Sequence, residues 1–308
     1  MMRISTFTTY YIGSTDMSNL QSTLQKLQMQ LDTQKRVVNP SDDPVAASQI
    51  LQLSQSNGRN DQFITNNKSV ESTLAISETA IGNSINVMRS LKELAVQAGG
   101  GGLSVTQLQS MQVQVTQYFN QLVANANTTD GIGTYLFGGN KDNAPPFTAD
   151  SALNTTYNGD TGQRLVEISS SRRIPTNEVG SQVFGNTPAS SSPTALFDSV
   201  KAFHDLLGQN PKPANFATQL TTIMGNMDAA SQNLVNAQAS IGSRRKENED
   251  TQNTAEDATL QYKSAISNLQ DLDLPQTISD FSLTQASLQY SQLTFNKITS
   301  LSLFNYIS

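Results

Sequence analysis

Proline placement sets the strongest limit on how this 308-residue chain can fold. Pro40 and Pro44 stand near the start and none follows until Pro145. Seven fall from Pro145 to Pro213, and only Pro275 comes after them. Proline inside a helix removes a hydrogen bond and clashes with the preceding turn, so the long proline-free tracts are where long helices are allowed. Apolar periodicity fills those tracts. Met17, Leu20, Leu24, Leu27 and Leu31 step 3-4-3-4, a heptad seam. Val70, Leu74, Ile81, Ile85, Met88 and Leu91 keep helical spacing, and so do Leu108, Met111, Val115, Tyr118 and Leu122. Ala195 to Leu207, Phe216 to Ile241, and the stripe Ala255, Thr259, Tyr262, Ile266 and Leu269 extend the pattern beyond the proline-rich middle.

The breaks are equally legible. Asp43 is placed to cap a helix whose first residue is Pro44: its carboxylate accepts from free backbone N–H groups, and proline there forfeits no bond. Gly99 to Gly102 is a flexible stop between two helices. The middle loses the helical period at Tyr135-Leu136-Phe137-Gly138-Gly139. Asn158-Gly159 then predicts a hairpin turn between a Thr/Tyr segment and the alternating run Gln163 to Ile168. Thr187 to Thr194 reads as a loop. The expected fold is mainly α: a long antiparallel helical bundle or coiled coil formed by both chain ends, with a small β-rich domain inserted in the middle. The expected parts are 1–44 with 265–308, 45–140 with 194–264, and 141–193.

Composition narrows function. With no Cys and one His, the chain has no disulfide framework, thiolate metal site or Cys nucleophile, and His-dependent catalysis is disfavoured. A net charge of −6 argues against nucleic-acid binding, which needs clustered Lys and Arg. No apolar run approaches the ~20 residues of a membrane-spanning helix, and the amino end is too rich in hydroxyl residues for a signal peptide. We therefore expect a protein that does not insert into membranes and carries no cleaved leader. Ser, Thr, Asn and Gln together number 123, while apolar residues are only 36%. Such side chains form many modest hydrogen bonds but supply little burial energy.

The last 35 residues carry two stripes. Ile278, Phe281, Gln285, Leu288, Gln292 and Phe295 form one, and Leu283, Ala286, Tyr290 and Leu293 form the other. Residues two apart on a helix lie about 200° apart around its axis, so these stripes occupy opposed faces. A helix with two apolar faces must bury both, and one partner helix cannot satisfy it. Pairing with the amino-terminal seam leaves the second stripe outward and available to neighbouring molecules; a three-helix bundle within the chain is the alternative. We take Leu20, Leu24, Leu27, Leu31, Ile278, Phe281, Leu283, Leu288, Tyr290, Leu293 and Phe295 as the candidate assembly residues, and Asp43 with Pro44 as a helix cap.

At the two ends these residues resemble bacterial flagellins. At the start the resemblance lies in Arg3-Ile4-Ser5-Thr6, Leu20 to Leu31 and Asn39-Pro40-Ser41-Asp42-Asp43-Pro44-Val45-Ala46-Ala47-Ser48. At the end it lies in Ile241-Gly242-Ser243-Arg244, Ser267 to Leu274 and Leu301 to Tyr306. Tyr135 to Lys141, with Pro146-Phe147 and Tyr157-Asn158-Gly159-Asp160, is similar to the flagellar hook-associated protein 3 family within that superfamily. The resemblance implies a non-enzymatic structural adaptor that leaves the cell unfolded by type III export. It implies a ring of about eleven copies between the first hook-associated protein and flagellin. It also implies an export chaperone for the carboxy-terminal helix, and no cofactor. The rival readings are flagellin itself, or a secreted binding or adhesin protein that uses the central insert.

Other chemistry reads weakly. His204 beside Asp205 suggests a general base, but neighbouring helix residues diverge by about 100°. Asp42 and Asp43 read as capping groups rather than a metal pair. Asp271 and Asp273 lack the Gly and Glu of a calcium loop. Gly99 to Gly102 lacks the strand and the Lys-Ser/Thr ending of a phosphate loop. The charged run Arg244 to Asp250 reads as a solvated face with both signs, with contact to a neighbouring subunit as the sharper alternative.

Overall fold

The computed structural model describes the backbone of residues 2–100, 102–185 and 190–307, and the side chains of these except 2–6, 9 and 300–307. In chain order the elements are α1 (Met2–Thr33), α2 (Pro44–Gly99), α3 (Val105–Ala126), β1 (Phe147–Ala149), β2 (Thr155–Tyr157), β3 (Leu165–Ser169), β4 (Arg172–Pro175), α4 (Gly180–Val183), α5 (Ala195–Leu207), α6 (Phe216–Gln270) and α7 (Leu274–Ile307). The fold is mainly α, with long helices at both ends and two small hairpins between them. Helix boundaries follow the chemistry. α2 begins at Pro44, where Asp43 Oδ1 accepts from Ala46 N at 3.0 Å. α3 opens with a reciprocal capping box: Ser104 Oγ accepts from Gln107 N at 3.3 Å, and Gln107 Oε1 accepts from Ser104 N at 2.8 Å.

The chain divides into two compact units, residues 1–59 with 257–308, and residues 60–256. The three expected parts thus meet two units, with 141–193 inside the second. The cause is a shared core. Phe147 of β1 and Phe184 after α4 stack with Phe197 of α5, at 5.4 Å between Phe147 and Phe184 and 5.1 Å between Phe147 and Phe197. Phe197 in turn meets Phe119 of α3 at 5.8 Å. All of these rings are fully buried, together with Leu74, Ile81, Met88 and Leu91 of α2 and Leu122 of α3. The segment between α3 and α5 lends two rings, Phe147 of β1 and Phe184 after α4, to the helices' core, so neither set completes its burial alone.

The expected hairpin at Asn158-Gly159 does not form. β2 pairs with β1, and β3 with β4, both antiparallel. Asp160 overrides the local turn signal. Its Oδ1 accepts from Asn140 N at 2.7 Å and from Gly162 N at 2.9 Å, and its own N–H donates to Gly138 O at 3.0 Å. That ties the segment after β2 to the Gly138-Gly139 bend instead of to β3. Gly139 has φ +74°, and a Cβ there would fall on Asp160, so only glycine serves.

Candidate functional site

The unit formed by the two chain ends holds the expected assembly residues. α1 packs antiparallel against α7, with Tyr10 and Gly13 near its start meeting Phe295 near the end of α7. The Tyr10 and Phe295 rings are 5.0 Å apart. On α1, Leu20, Leu24, Leu27 and Leu31 are half-buried in this pairing. On α7, Phe281, Leu288 and Phe295 are half-buried as well, but the positions between them differ from expectation. Thr277 is buried and Thr284 and Ser291 are half-buried, whereas Ile278, Gln285 and Gln292 face outward. Phe281, Leu288 and Phe295 fit a heptad with either neighbour set. The smaller hydroxyl residues let the facing rings and leucines approach, while Gln retains its hydration outside.

The large residues of the second stripe are uncovered, with Ala286 half-buried. Leu283 is 68% exposed, Tyr290 70% and Leu293 60%, and Ile278 on another outward face is 54% exposed. The amino-terminal helix adds Phe7, Tyr11 and Ile12, all exposed, which its single seam did not reveal. Two spaced aromatic residues, Phe7 and Tyr11 four apart, were the available signal.

Where the paired ends meet the rest of their unit, a polar clasp closes the corner. Arg36 Nη2 donates to Leu269 O at 2.8 Å, and its Nη1 donates to Asp43 Oδ2 at 3.1 Å. Arg36 N also donates to Gln270 O at 2.7 Å. Asp42 Oδ2 accepts from Asn39 N at 2.9 Å and Val38 N at 3.2 Å, while its Oδ1 pairs with Lys26 at 3.0 Å. These partners hold both carboxyls below their ordinary range: for Asp42 chiefly the Asn39 amide and then Lys26, for Asp43 chiefly the Ala46 amide and then Arg36.

The charged run on α6 is only partly a solvated face, because three of its residues find partners within the second unit. Within the second unit Arg244 pairs with Glu178 after β4, and both side chains are almost buried, at 14% and 11% exposure. Burial pushes the Glu178 carboxyl above its usual range, and Arg244 only partly opposes this. Arg245 reaches Glu71 and Glu78 of α2, and Glu247 reaches Arg172 of β4. Sequence spacing could not show these partners, which lie 66 to 174 positions away. Lys246 alone follows the expected pattern, pairing with Glu249 and Asp250 on its own helix.

His204 does contact its neighbour, Nδ1 to Asp205 Oδ1 at 3.0 Å, but Lys201 holds the same carboxylate. That neutralised, half-exposed group on α5 is a helix-surface network. Among the described residues no group of three or more His, Cys, Asp or Glu could hold a metal ion, and no helix is long and apolar enough to cross a membrane.

Comparison with known proteins places this arrangement. The family described as the bacterial flagellin N-terminal helical region matches residues 4–142. Flagellar hook-associated protein 3 of Salmonella typhimurium is 30% identical over 316 positions, covering 98% of this chain and 99% of that protein. The chain belongs to the flagellar hook-associated protein 3 family. Hook-associated protein 3 of Escherichia coli is 28% identical over the same shares of the two chains. The fold also matches a solved flagellar hook-associated protein of Vibrio parahaemolyticus, with TM-score 0.68 and 18% identity, over 75% of this chain and 100% of that one. Near-full-length similarity to a hook-associated protein 3 favours this family over flagellin itself.

Proposed function

We propose that the chain is a structural adaptor of the bacterial flagellum, forming a ring between the first hook-associated protein and the flagellin filament. The uncovered face of α7, with Leu283, Tyr290 and Leu293 more than half exposed beside an already paired seam, carries the reading. A helix whose partner covers only one apolar side gains burial free energy when neighbouring copies cover the other. The many amides and hydroxyls on these helices add hydrogen bonds that favour one docking geometry.

The same face explains a requirement before assembly. An exposed apolar stripe promotes aggregation, so a cytoplasmic export chaperone covers α7 until the chain, unfolded, passes through the type III export channel to the flagellum outside the cell. No step calls for a catalytic group or cofactor. Deleting the gene tests the adaptor: flagellin should appear in the medium as monomers beside cells that carry intact hooks. Filaments of normal length and attachment in the deletion strain would refute it. If the protein instead dominates sheared filaments by mass, it is the bulk filament subunit.

A further inference from the structure

Both long helices of the second unit carry a strict heptad. On α2 the inward seam runs Asn67, Val70, Leu74, Ser77, Ile81 and Ser84; on α6 it runs Ala230, Leu234, Ala237, Ile241, Arg244 and Asn248. Contacts along their length show an antiparallel pair. Asn60 donates to Ala255 O at 2.5 Å, Asn248 to Asn67 O at 2.9 Å, and Lys92 pairs with Asp228. A seven-residue repeat has an inherent ambiguity, because sliding one helix by seven residues returns seam positions to seam positions, with the aliphatic layers at Leu74, Ile81, Leu234 and Ile241 mostly re-forming. Burial alone therefore discriminates poorly between registers about 10 Å apart, seven residues at 1.5 Å each.

We propose that Asn67 on α2 and the run Arg245 to Asn248 on α6 form a register lock: a polar layer, rather than the apolar seam, sets the axial position of α6 against α2. Asn67 and Asn248 are fully buried. Asn67 Nδ2 spends both its hydrogens, on Phe63 O at 2.8 Å and on Ile168 O of β3 at 3.1 Å, so the same residue also seats the β3–β4 hairpin. Arg245 forks across two carboxylates seven residues apart, with Nε to Glu71 Oε1 at 3.0 Å and Nη1 to Glu78 Oε2 at 2.5 Å.

Either slip breaks this layer. In one direction Asn248 moves opposite Leu74; in the other Ile241 moves opposite Asn67. Each buries an amide against an aliphatic side chain, and each leaves Arg245 near only one of its two carboxylates. Glu247 also leaves Arg172 on the hairpin. The lock carries a cost, since the Oδ1 atoms of Asn67 and Asn248 are buried with no protein donor. Specificity of register bought with a buried polar group is an established physical strategy in paired helices.

The absence of cysteine makes the test direct. Spin labels on Thr79→Cys of α2 and Thr221→Cys of α6, both exposed and far apart along the axis, report register as a distance in pulsed electron resonance. The unaltered background should give one narrow distance. Adding Asn67→Leu, Asn248→Leu and Arg245→Gln should keep the helical circular dichroism and introduce a second distance displaced by most of 10 Å, one heptad at the α-helical rise. If the triple variant fails to fold, Asn248→Leu alone decides by the same second distance at lower population. A folded variant that keeps the single original distance overturns the proposal, and shows that the connecting loops or the Arg36 clasp set the register.

Discussion

Phe147→Ala should lower the stability of the helices, although Phe147 lies in a three-residue strand. Its ring is 1% exposed and contacts Tyr157, Phe197 and Phe184 at centroid distances of 5.0, 5.1 and 5.4 Å. Deleting a buried phenylalanine costs about 3–5 kcal/mol from lost transfer energy and the cavity left behind. Aromatic pairs add about 0.5–1.5 kcal/mol each beyond area, which places this site near the upper end. For a unit of this size, with about 2–4 °C lost per kcal/mol, the midpoint should fall by roughly 10–20 °C. Far-UV circular dichroism reads the helices, and near-UV dichroism reads the packed rings. Because Phe147 completes a core shared with α3 and α5, both signals should shift together. If the near-UV signal is lost early while the helical transition stays in place, the strands form a separate domain and the shared-core reasoning fails.

Four further outcomes follow from the same structure. Arg244→Met strands the buried Glu178 carboxylate and should destabilise the second unit by about 3 kcal/mol in denaturant unfolding, with most of the loss recovered in Arg244→Met/Glu178→Leu. No recovery in the double variant would mean that Arg244 acts through other contacts, such as Pro175 O. Leu283→Asp with Leu293→Asp touches only exposed positions, so monomer stability should stay within about 0.5 kcal/mol, while incorporation at the junction is lost. Phe281→Asp should fail at both levels, because Phe281 lies within the α1/α7 pairing; normal filaments from Phe281→Asp would contradict the importance of that seam. Asp42 and Asp43 titrate below their ordinary value of 3.8 in the folded chain. Their contribution is therefore present above that value and lost as pH falls through their lowered folded values. Acid unfolding of Asp42→Asn/Asp43→Asn should show a weaker pH dependence in that window, and an unchanged profile would remove the clasp from the account.

Much of the helical frame was legible because its signals are local. Proline-free tracts, heptads at Leu20 to Leu31 and the Asp43-Pro44 start depend on residues within a turn or two. Where partners are distant, local reading failed for identifiable reasons. Asn158-Gly159 is a strong hairpin signal in isolation, yet Asp160 finds three bonds at residues 138–140 and 162 that outcompete it. Arg244 to Asp250 has the composition of a solvated face, and only the fold brings Glu71, Glu78, Arg172 and Glu178 alongside it. On α7 Phe281, Leu288 and Phe295 are half-buried, but heptad spacing permits either Thr277 or Ile278 as the adjoining position. Side-chain size and hydration decide for Thr277. Ser104 and Gln107 form a capping box, and its Ser-x-x-Gln spacing is a local signature too.

The junction itself offers the most direct measurement. Electron cryomicroscopy of isolated hook–filament junctions should find this chain as a single ring between hook and filament. Leu283, Tyr290 and Leu293 should be buried against neighbouring copies while Leu24 and Leu288 remain packed within each copy. Density for the chain throughout the filament, or a junction ring in which that α7 face stays exposed to solvent, would contradict the account.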